Sequence, residues 1–376
     1  MSPLKALFLA GAVALLLSTP ALAGPPPVDA RAFIVENAAT GEVLAQRGAR
    51  ERLPIASITK LMTVLVTLQH ARPSELVTVP EEVTTVGEST IYLREGERLS
   101  VFDLIEGALI PSANDAADTL AYHVGHGSEP AFVRMMNAQA RRLRLTDTHF
   151  VRPDGLDARG HVSSARDVTK LARVLMQRRV AREIVRRTSA TIAGGRTIYT
   201  RNRLLYTYPG LIGVKTGHTS LAGWSEVAAA HRKGVTIYAT ILGAPSESGR
   251  DSDLAALLSW GLSQYRPATL IPAHRVYAQV GAGYGKGTVS VVAPRPLVRS
   301  VRVGQPLVER VVVPDAVELP VVRGERVGEV RILAGKRLVG VRPLVARRSV
   351  SAPGFAGRIG WYAGRTFHHF FGWFGA

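Results

Sequence analysis

Pro54-Ile55-Ala56-Ser57-Ile58-Thr59-Lys60-Leu61-Met62 is the stretch around which the chain is organised. It reads as the first turns of a buried helix, with a serine and a lysine three residues apart. Positions i and i+3 share a helix face, with Cβ atoms about 5–6 Å apart. A serine hydroxyl is a weak nucleophile until a nearby base takes its proton. Lys60 is that base if its pKa is pushed down by desolvation, by a nearby cation such as Lys215, or by both. Free backbone N–H groups at a helix start also favour developing negative charge beside Ser57. Ser-x-x-Lys alone is common, so its weight comes from other motifs farther along the chain.

The chain has 376 residues, 46% of them apolar and 20% charged. That is a globular composition, and the length fits two or three domains. The net charge of +18 points to an anionic neighbour: nucleic acid, anionic lipid or acidic wall polymer. Without cysteine, disulfides, thiolate catalysis and Cys-ligated zinc are excluded. Lys5, the apolar run Ala6 to Leu17 and Ala21-Leu22-Ala23 make a secretory signal peptide over residues 1–23. The other reading of that run is an uncleaved anchor helix. Export argues against nucleic acid as the partner of the basic surface.

After a Pro-rich leader, Ala32–Glu36 and Glu42–Ala45 read as a hairpin around Asn37–Gly41. In the Ser57 helix, Ile58, Leu61, Met62, Leu65 and Leu68 sit at helical spacing. Val101 to Ile110 is a second helix, stopped by Pro111. Ser112-Ala113-Asn114-Asp115 opens a third, and displays Ser112 and Asn114 in a tight turn unless they serve as an ordinary N-cap. Further helices span Pro130–Leu143 and Ser164–Arg179, with a structured loop at Thr148–Leu156 between them. Leu211 to Gly217 reads as a strand entering a turn. Ser225–Ala230 and Val235–Leu242 are antiparallel strands, and Asp251–Leu262 is a helix. Helices in the middle with strands before and after predict an α+β fold, an antiparallel sheet covered by helices, over residues 24–266.

At Tyr265-Arg266-Pro267 the texture changes to short valine-rich runs: Val276–Val280, Thr288–Val292, Val308–Val313 and Val327–Leu333. These predict a small all-β domain over 267–346. Gly281–Thr288 lacks the spacing of a phosphate loop and reads as a hairpin turn. Residues 347–376 read as a linker and an amphipathic helix. Arg358, Arg365 and His369 form one stripe and Ile359, Ala363, Phe367, Phe370, Phe371 and Phe374 the other, a pattern that suits a membrane surface. A helix packed on the β domain, or a disordered tail, is the alternative. Residues 267–376 carry 16 Lys and Arg against 5 Asp and Glu, so the basic charge concentrates there.

Three motifs therefore stand in order: Ser57-x-x-Lys60, Ser112-x-Asn114 and Lys215-Thr216-Gly217. With them come Leu53–Lys60, Ser112–Ala117, His161–Asp167 and Gly243–Ser246. Over roughly Ala32 to Tyr265 the sequence resembles the low-molecular-mass penicillin-binding proteins, specifically the serine D-alanyl-D-alanine carboxypeptidases. That resemblance implies a β-lactamase/DD-peptidase-like fold with a β-rich second domain and a C-terminal amphipathic anchor. One departure is Arg152 in Arg152-Pro153-Asp154-Gly155-Leu156, where the family usually has Asn. It puts the local loop geometry in question.

The resemblance implies that Ser57 attacks a D-Ala-D-Ala peptide bond and that neutral Lys60 takes its proton. It makes Ser112 a proton relay and Asn114 a hydrogen-bond partner of the substrate. Lys215, Thr216 and Gly217 would face the terminal carboxylate, and Arg250 would read it too unless it is a surface charge at a helix start. The backbone N–H groups of Ser57 and His218 would form the oxyanion hole. No metal or cofactor is implied. The implied partners are peptidoglycan pentapeptides, β-lactams as inhibitors, and a membrane surface or anionic wall polymer at the basic C-terminal part. The implied place is the periplasm or the outer face of the cytoplasmic membrane. A class A β-lactamase is disfavoured because no Glu-x-x-Leu-Asn pattern lies between Asn114 and Lys215. An endopeptidase shares all the motifs, and a non-catalytic wall-binding protein is the reading from a different class.

Overall fold

A computed structural model describes residues 24–356, together with residues 13, 14, 359 and 361. Apart from those few positions, the signal peptide over 1–23 and the amphipathic helix at the C-terminal end lie outside the described residues. Contacts divide the chain into a unit spanning Ala23–Gln264 and a second unit that contains Tyr265 onward.

The first unit is built on a five-stranded antiparallel sheet. Its strands are β1 (Ala32–Asn37), β2 (Val43–Arg47), β3 (Leu211–Thr219), β4 (Gly223–Arg232) and β5 (Val235–Ala244), in the order β2-β1-β5-β4-β3. Every residue of β1 is buried, Ala32–Val35 as an apolar run on a strand covered on both faces and Glu36 with Arg173 as its partner. The β1–β2 turn is fixed by Asn37, whose Oδ1 accepts the N–H groups of Ala39 at 2.9 Å and Thr40 at 3.1 Å. The β4–β5 hairpin turns on Lys233 and Gly234, with φ 48° and 76°, the left-handed pair that matches strand twist.

The helices are α1 (Lys60–His70), α2 (Val101–Leu109), α3 (Asn114–Val124), α4 (Glu129–Arg142), α5 (Ala165–Leu175), α6 (Arg179–Ile184), α7 (Leu204–Thr207) and α8 (Glu247–Ser263). Helix α1 is buried from Lys60 through Thr67 and forms the centre of a cluster with α2, α3, α4 and α5. Gly261 of α8 sits against Ile237, and Thr169 of α5 bonds Thr240 at 2.6 Å. Residues 237 and 240 point to opposite sides of β5, so α5 and α8 cover opposite faces of the sheet.

Several expectations change. The helix read as Ser164–Arg179 breaks after Leu175, because Arg178 is extended at ψ 118° and α6 starts anew to bury Ala181 and Ile184. Lys215-Thr216-Gly217 lies inside β3 and not at its end. The ladder continues through Thr216↔Glu226, Gly217↔Ser225 and Thr219↔Gly223. The N-cap reading of Ser112 and Asn114 fails, since the cap position of α3 is Ala113 and no side chain caps it. Helix α8 begins one turn before the expected Asp251, capped by Ser246 at 3.1 Å from the Gly249 N–H.

The second unit is all-β. A seven-stranded sheet includes the four expected runs, and Gly283–Gly285 makes the hairpin turn between Val276–Ala282 and Thr288–Val292. The sequence pattern missed the pair Tyr265–Ile271 and Leu297–Arg302, and the strand Arg337–Ala346. The expected boundary at 266/267 falls inside the first of these strands. No helix among the described residues is long and apolar enough to cross a membrane.

Behind α1, the loop between α4 and α5 is held by Thr63 Oγ1, which donates to the Pro153 carbonyl at 2.5 Å. Gly155, at φ +88°, makes the close approach possible. A Cβ there would lie 2.1 Å from the Ala56 carbonyl oxygen. Gly127 is also left-handed (φ +82°) but faces open space. Gly155→Ala should therefore cost more than the roughly 1–3 kcal/mol of backbone strain alone. Gly127→Ala should cost no more than that strain. Thermal melts of the two variants should separate by several degrees, at about 2–4 °C per kcal/mol for a domain of this size.

Candidate active site

The Ser57 turn is a single 3-10 turn, Ala56–Thr59, running directly into α1. It places Ser57 at the edge of a cleft of about 350 Å³ and turns Lys60 inward, where its side chain is fully buried. An ammonium has three N–H groups to satisfy. Lys60 Nζ donates to Ser57 Oγ at 2.8 Å, to Asn114 Oδ1 at 2.7 Å and to the Asp154 carbonyl at 2.7 Å. Burial pushes the Lys60 pKa down to about 8, against the opposing pull of Asp154, Asp118, Asp115 and Glu88. Burial, and not the Lys215 charge, is thus the main cause of the shift.

A second serine–lysine pair faces the first. Ser112 follows Pro111 in the left-handed region, at φ 70°. Its Oγ accepts from Lys215 Nζ at 2.7 Å, and the same ammonium donates to the Thr216 carbonyl at 2.9 Å. Lys215 is buried and its pKa is held well below the usual lysine range, first by burial and then by the charge of Lys60. Asn114, one turn away, uses both ends of its amide: Oδ1 on Lys60 and Nδ2 on the Gly87 carbonyl at 2.9 Å. Its side chain is committed to the protein while it lines the cleft, so a bond to substrate would be an addition to these two.

Strand β3 is the sheet's edge, so its outer side has no strand partner among the described residues. Thr216, Gly217 and His218 line the cleft from it. Gly217 packs on the Ser57 turn, where a Cβ would come 2.7 Å from the Ile55 carbonyl oxygen. The His218 ring is exposed and stacks on Trp224 with centroids 4.0 Å apart. Arg250 also reaches the cleft and is 1% exposed, which removes the surface-charge reading. It donates to Asp251 at 2.6 and 3.0 Å. His161 ties the loop to the turn: its Nδ1 accepts the Val151 N–H at 3.1 Å, so its Nε2–H donates to Thr59 Oγ1 at 2.7 Å. Burial pushes His161 down to about 4, which keeps the ring neutral.

The structure brings all nine expected residues to this cleft or its floor. It also adds charged groups that the motifs do not contain. Glu226, opposite Thr216 on β4, is completely buried, with its carboxylate 3.3 Å from Arg250 Nε and beside Asn202. Burial, aided by Asp251 and opposed by Arg250, Lys215 and Asn202, pushes it up to about 7. Its signal in the sequence was a lone carboxylate directly before the apolar run Val227–Ala230. Asp118, one turn along α3 from Asn114, is a similar case.

Because the folded-state pKa of Glu226 is raised from 4.5 to about 7, the folded chain binds more protons than the unfolded one between those values. This contribution to stability is complete below about pH 4.5 and is lost as the pH rises through 7. Glu226→Gln should remove that loss. Melting curves at pH 5 and pH 8 should show the variant gaining on the wild type at the higher pH.

The sequence profile of the family described as D-alanyl-D-alanine carboxypeptidase matches residues 19–246. The profile of the penicillin-binding protein 5 C-terminal domain matches residues 265–352. D-alanyl-D-alanine carboxypeptidase DacC of Escherichia coli K12 is 32% identical over 372 residues, 93% of this chain and 91% of its own length. DacF of Bacillus subtilis is 27% identical over 340 residues, 87% of each chain. The crystal structure of penicillin binding protein 6B from Escherichia coli superposes with a TM-score of 0.65 at 29% identity, covering 88% of this chain and 99% of that one. The chain belongs to the D-alanyl-D-alanine carboxypeptidase family.

Proposed function

We propose that the chain is a serine D-Ala-D-Ala carboxypeptidase that removes the terminal D-alanine from peptidoglycan stem peptides through an acyl-enzyme on Ser57. The observation that carries this reading is the Ser57 Oγ–Lys60 Nζ contact of 2.8 Å, made by a lysine whose pKa burial brings down to about 8. A lysine in that range loses its proton close to neutral pH and can take one from the serine.

In this reading Ser57 attacks the carbonyl carbon of the penultimate D-alanine and passes its proton to Lys60. The tetrahedral oxyanion sits against the backbone N–H groups of Ser57 and His218. One such donor is worth roughly 2.7–4 kcal/mol. Ser112 relays the Ser57 proton onward to the leaving amine, and Lys215, donating to the Ser112 Oγ at 2.7 Å, orients the hydroxyl. Asn114 holds Lys60 in place and borders the peptide. Lys215, Thr216, Gly217 and Arg250 form the end of the cleft that meets the terminal carboxylate. The unpaired edge of β3 suits a substrate peptide lying alongside it. Water then releases the shortened peptide, and a β-lactam acylates the same serine. No metal or cofactor takes part.

The same reading places the chain outside the cytoplasm, in the periplasm or on the outer face of the cytoplasmic membrane, after removal of residues 1–23. Residues 24–266 would carry the chemistry. The β-rich part over 267–346 and the segment 347–376, with their excess of Lys and Arg, would hold the enzyme on an anionic membrane or wall surface. Salt should weaken that hold. A chain ending at Tyr265 should lose binding to anionic vesicles that the chain from Gly24 to Ala376 shows in a sedimentation assay.

Release of D-alanine from diacetyl-Lys-D-Ala-D-Ala by the chain from Gly24 tests the activity. Ser57→Ala should abolish it and should abolish labelling by a fluorescent penicillin, with the fold unchanged by circular dichroism. An adduct that survives on the variant would move the nucleophile elsewhere. Labelling without D-alanine release would favour an endopeptidase. The rate of acylation should rise about tenfold per pH unit up to a plateau above about pH 8, where Lys60 is neutral.

A further inference from the structure

Asp154, on the loop behind α1, serves Lys60 and Arg152 at once. Its backbone carbonyl accepts from Lys60 Nζ at 2.7 Å. Its carboxylate, fully buried, points away to Arg152, which donates Nε to Oδ1 and Nη2 to Oδ2, both at 2.6 Å. The Leu156 N–H adds a third bond, to Oδ1 at 3.0 Å. The Arg152 side chain is the partly open member of the pair, 31% exposed.

The other charged groups around the pair come from several elements. Asp118 of α3 and Glu129 of α4 face the Asp154 carboxylate, and His161 stands on the far arm of the loop. Lys60 is also faced by Asp115 of α3 and by Glu88, and Lys215 of β3 lies across the cleft floor. Asp115 is held by the N–H groups of Ile91, Leu93 and Ala116. Asp118 is buried and its Oδ1 has no partner. Burial and the Asp154 charge push it up to about 8, so it keeps its proton at neutral pH. Between Asp118 and Asp154, the pair next to Lys60, the charge is then the one on Asp154.

That charge matters to the lysine. A buried carboxylate left to a nearby ammonium favours the charged form of both. A charged Lys60 takes no proton from Ser57. Arginine's planar fork meets both oxygens of a carboxylate at once and stays charged at any working pH. We propose that Arg152 is a positioning residue that clamps the Asp154 carboxylate away from Lys60, so that Asp154 offers the lysine only its carbonyl and the lysine is free to act as a base. The proposal rests on Lys60 being the base for Ser57.

The test is the pH profile of acylation by a fluorescent penicillin, measured on the chain from Gly24 to Ala376. Arg152→Gln should move the acid limb upward by at least about one pH unit, the lower end of what one adjacent charge produces. Acylation at pH 7 should then fall about tenfold or more. Asp154→Asn keeps the carbonyl and removes the charge, so it should move the limb downward. Adding Asp154→Asn to Arg152→Gln should cancel the upward shift, which lost packing alone would not do. A limb that stays in place in Arg152→Gln, or a double variant that keeps the upward shift, overturns the clamp. Should Arg152→Gln not fold, an unmoved limb in Asp154→Asn overturns it equally. A wild-type chain that is acylated with no acid limb, or not acylated at all, overturns the Lys60 base and the clamp together. A normal wild-type limb with unmoved variants overturns the clamp alone.

Discussion

Taking the Lys60 ammonium out of water is the constraint on which the rest of this structure depends. A buried charge costs several kcal/mol unless its hydrogen bonds are replaced. The three replacements come from three places in the sequence: the preceding turn (Ser57), the start of α3 (Asn114) and the loop before α5 (Asp154). The helical cluster around α1 and the loop behind it must both be in place before the lysine is satisfied. Fold and site are therefore one problem, and α1, buried from Lys60 through Thr67, is its centre.

The cleft repeats this solution on its other wall. Lys215 is buried too, and it meets a serine held in a strained left-handed conformation. Two buried lysines share one cleft, with the charge of Lys60 helping to hold Lys215 down, and the carboxylates around them are few and individually controlled. Asp154 is paired with Arg152, Asp115 is held by backbone N–H groups, and Asp118 and Glu226 are pushed toward their neutral forms. The site keeps its proton balance through what lies behind the cleft as much as through what lines it.

Much of this was legible in the sequence, because spacing reports faces. Ser57 and Lys60 at i and i+3, Pro111 before Ser112, and the apolar stripes of the helices each predict a local geometry that the structure contains. What escaped was the pairing of distant residues. Nothing in the β3 run says that Lys215-Thr216-Gly217 lies within a strand, because the ladder that extends it is supplied by β4. Glu226 and Asp118 sit in apolar stretches where periodicity assigns them to the core without naming a partner. Arg152 stood out as unusual for its position. Its partner, two residues away, became visible only when the loop brought the fork and the carboxylate together.

The two close glycine contacts on the Ser57 turn have an evolutionary consequence. Gly155 presses on it at the Ala56 carbonyl and Gly217 at the Ile55 carbonyl, so backbone grips the turn from both flanks. Neither contact has room for even one methyl group, and neither can be relaxed by exchanging a side chain. Sequence drift is thereby barred from shifting the serine in small increments. Lineages adapting this enzyme to a new stem peptide, or escaping an antibiotic, have their freedom at the rim, where Glu88, Arg201 and Glu247 border the opening.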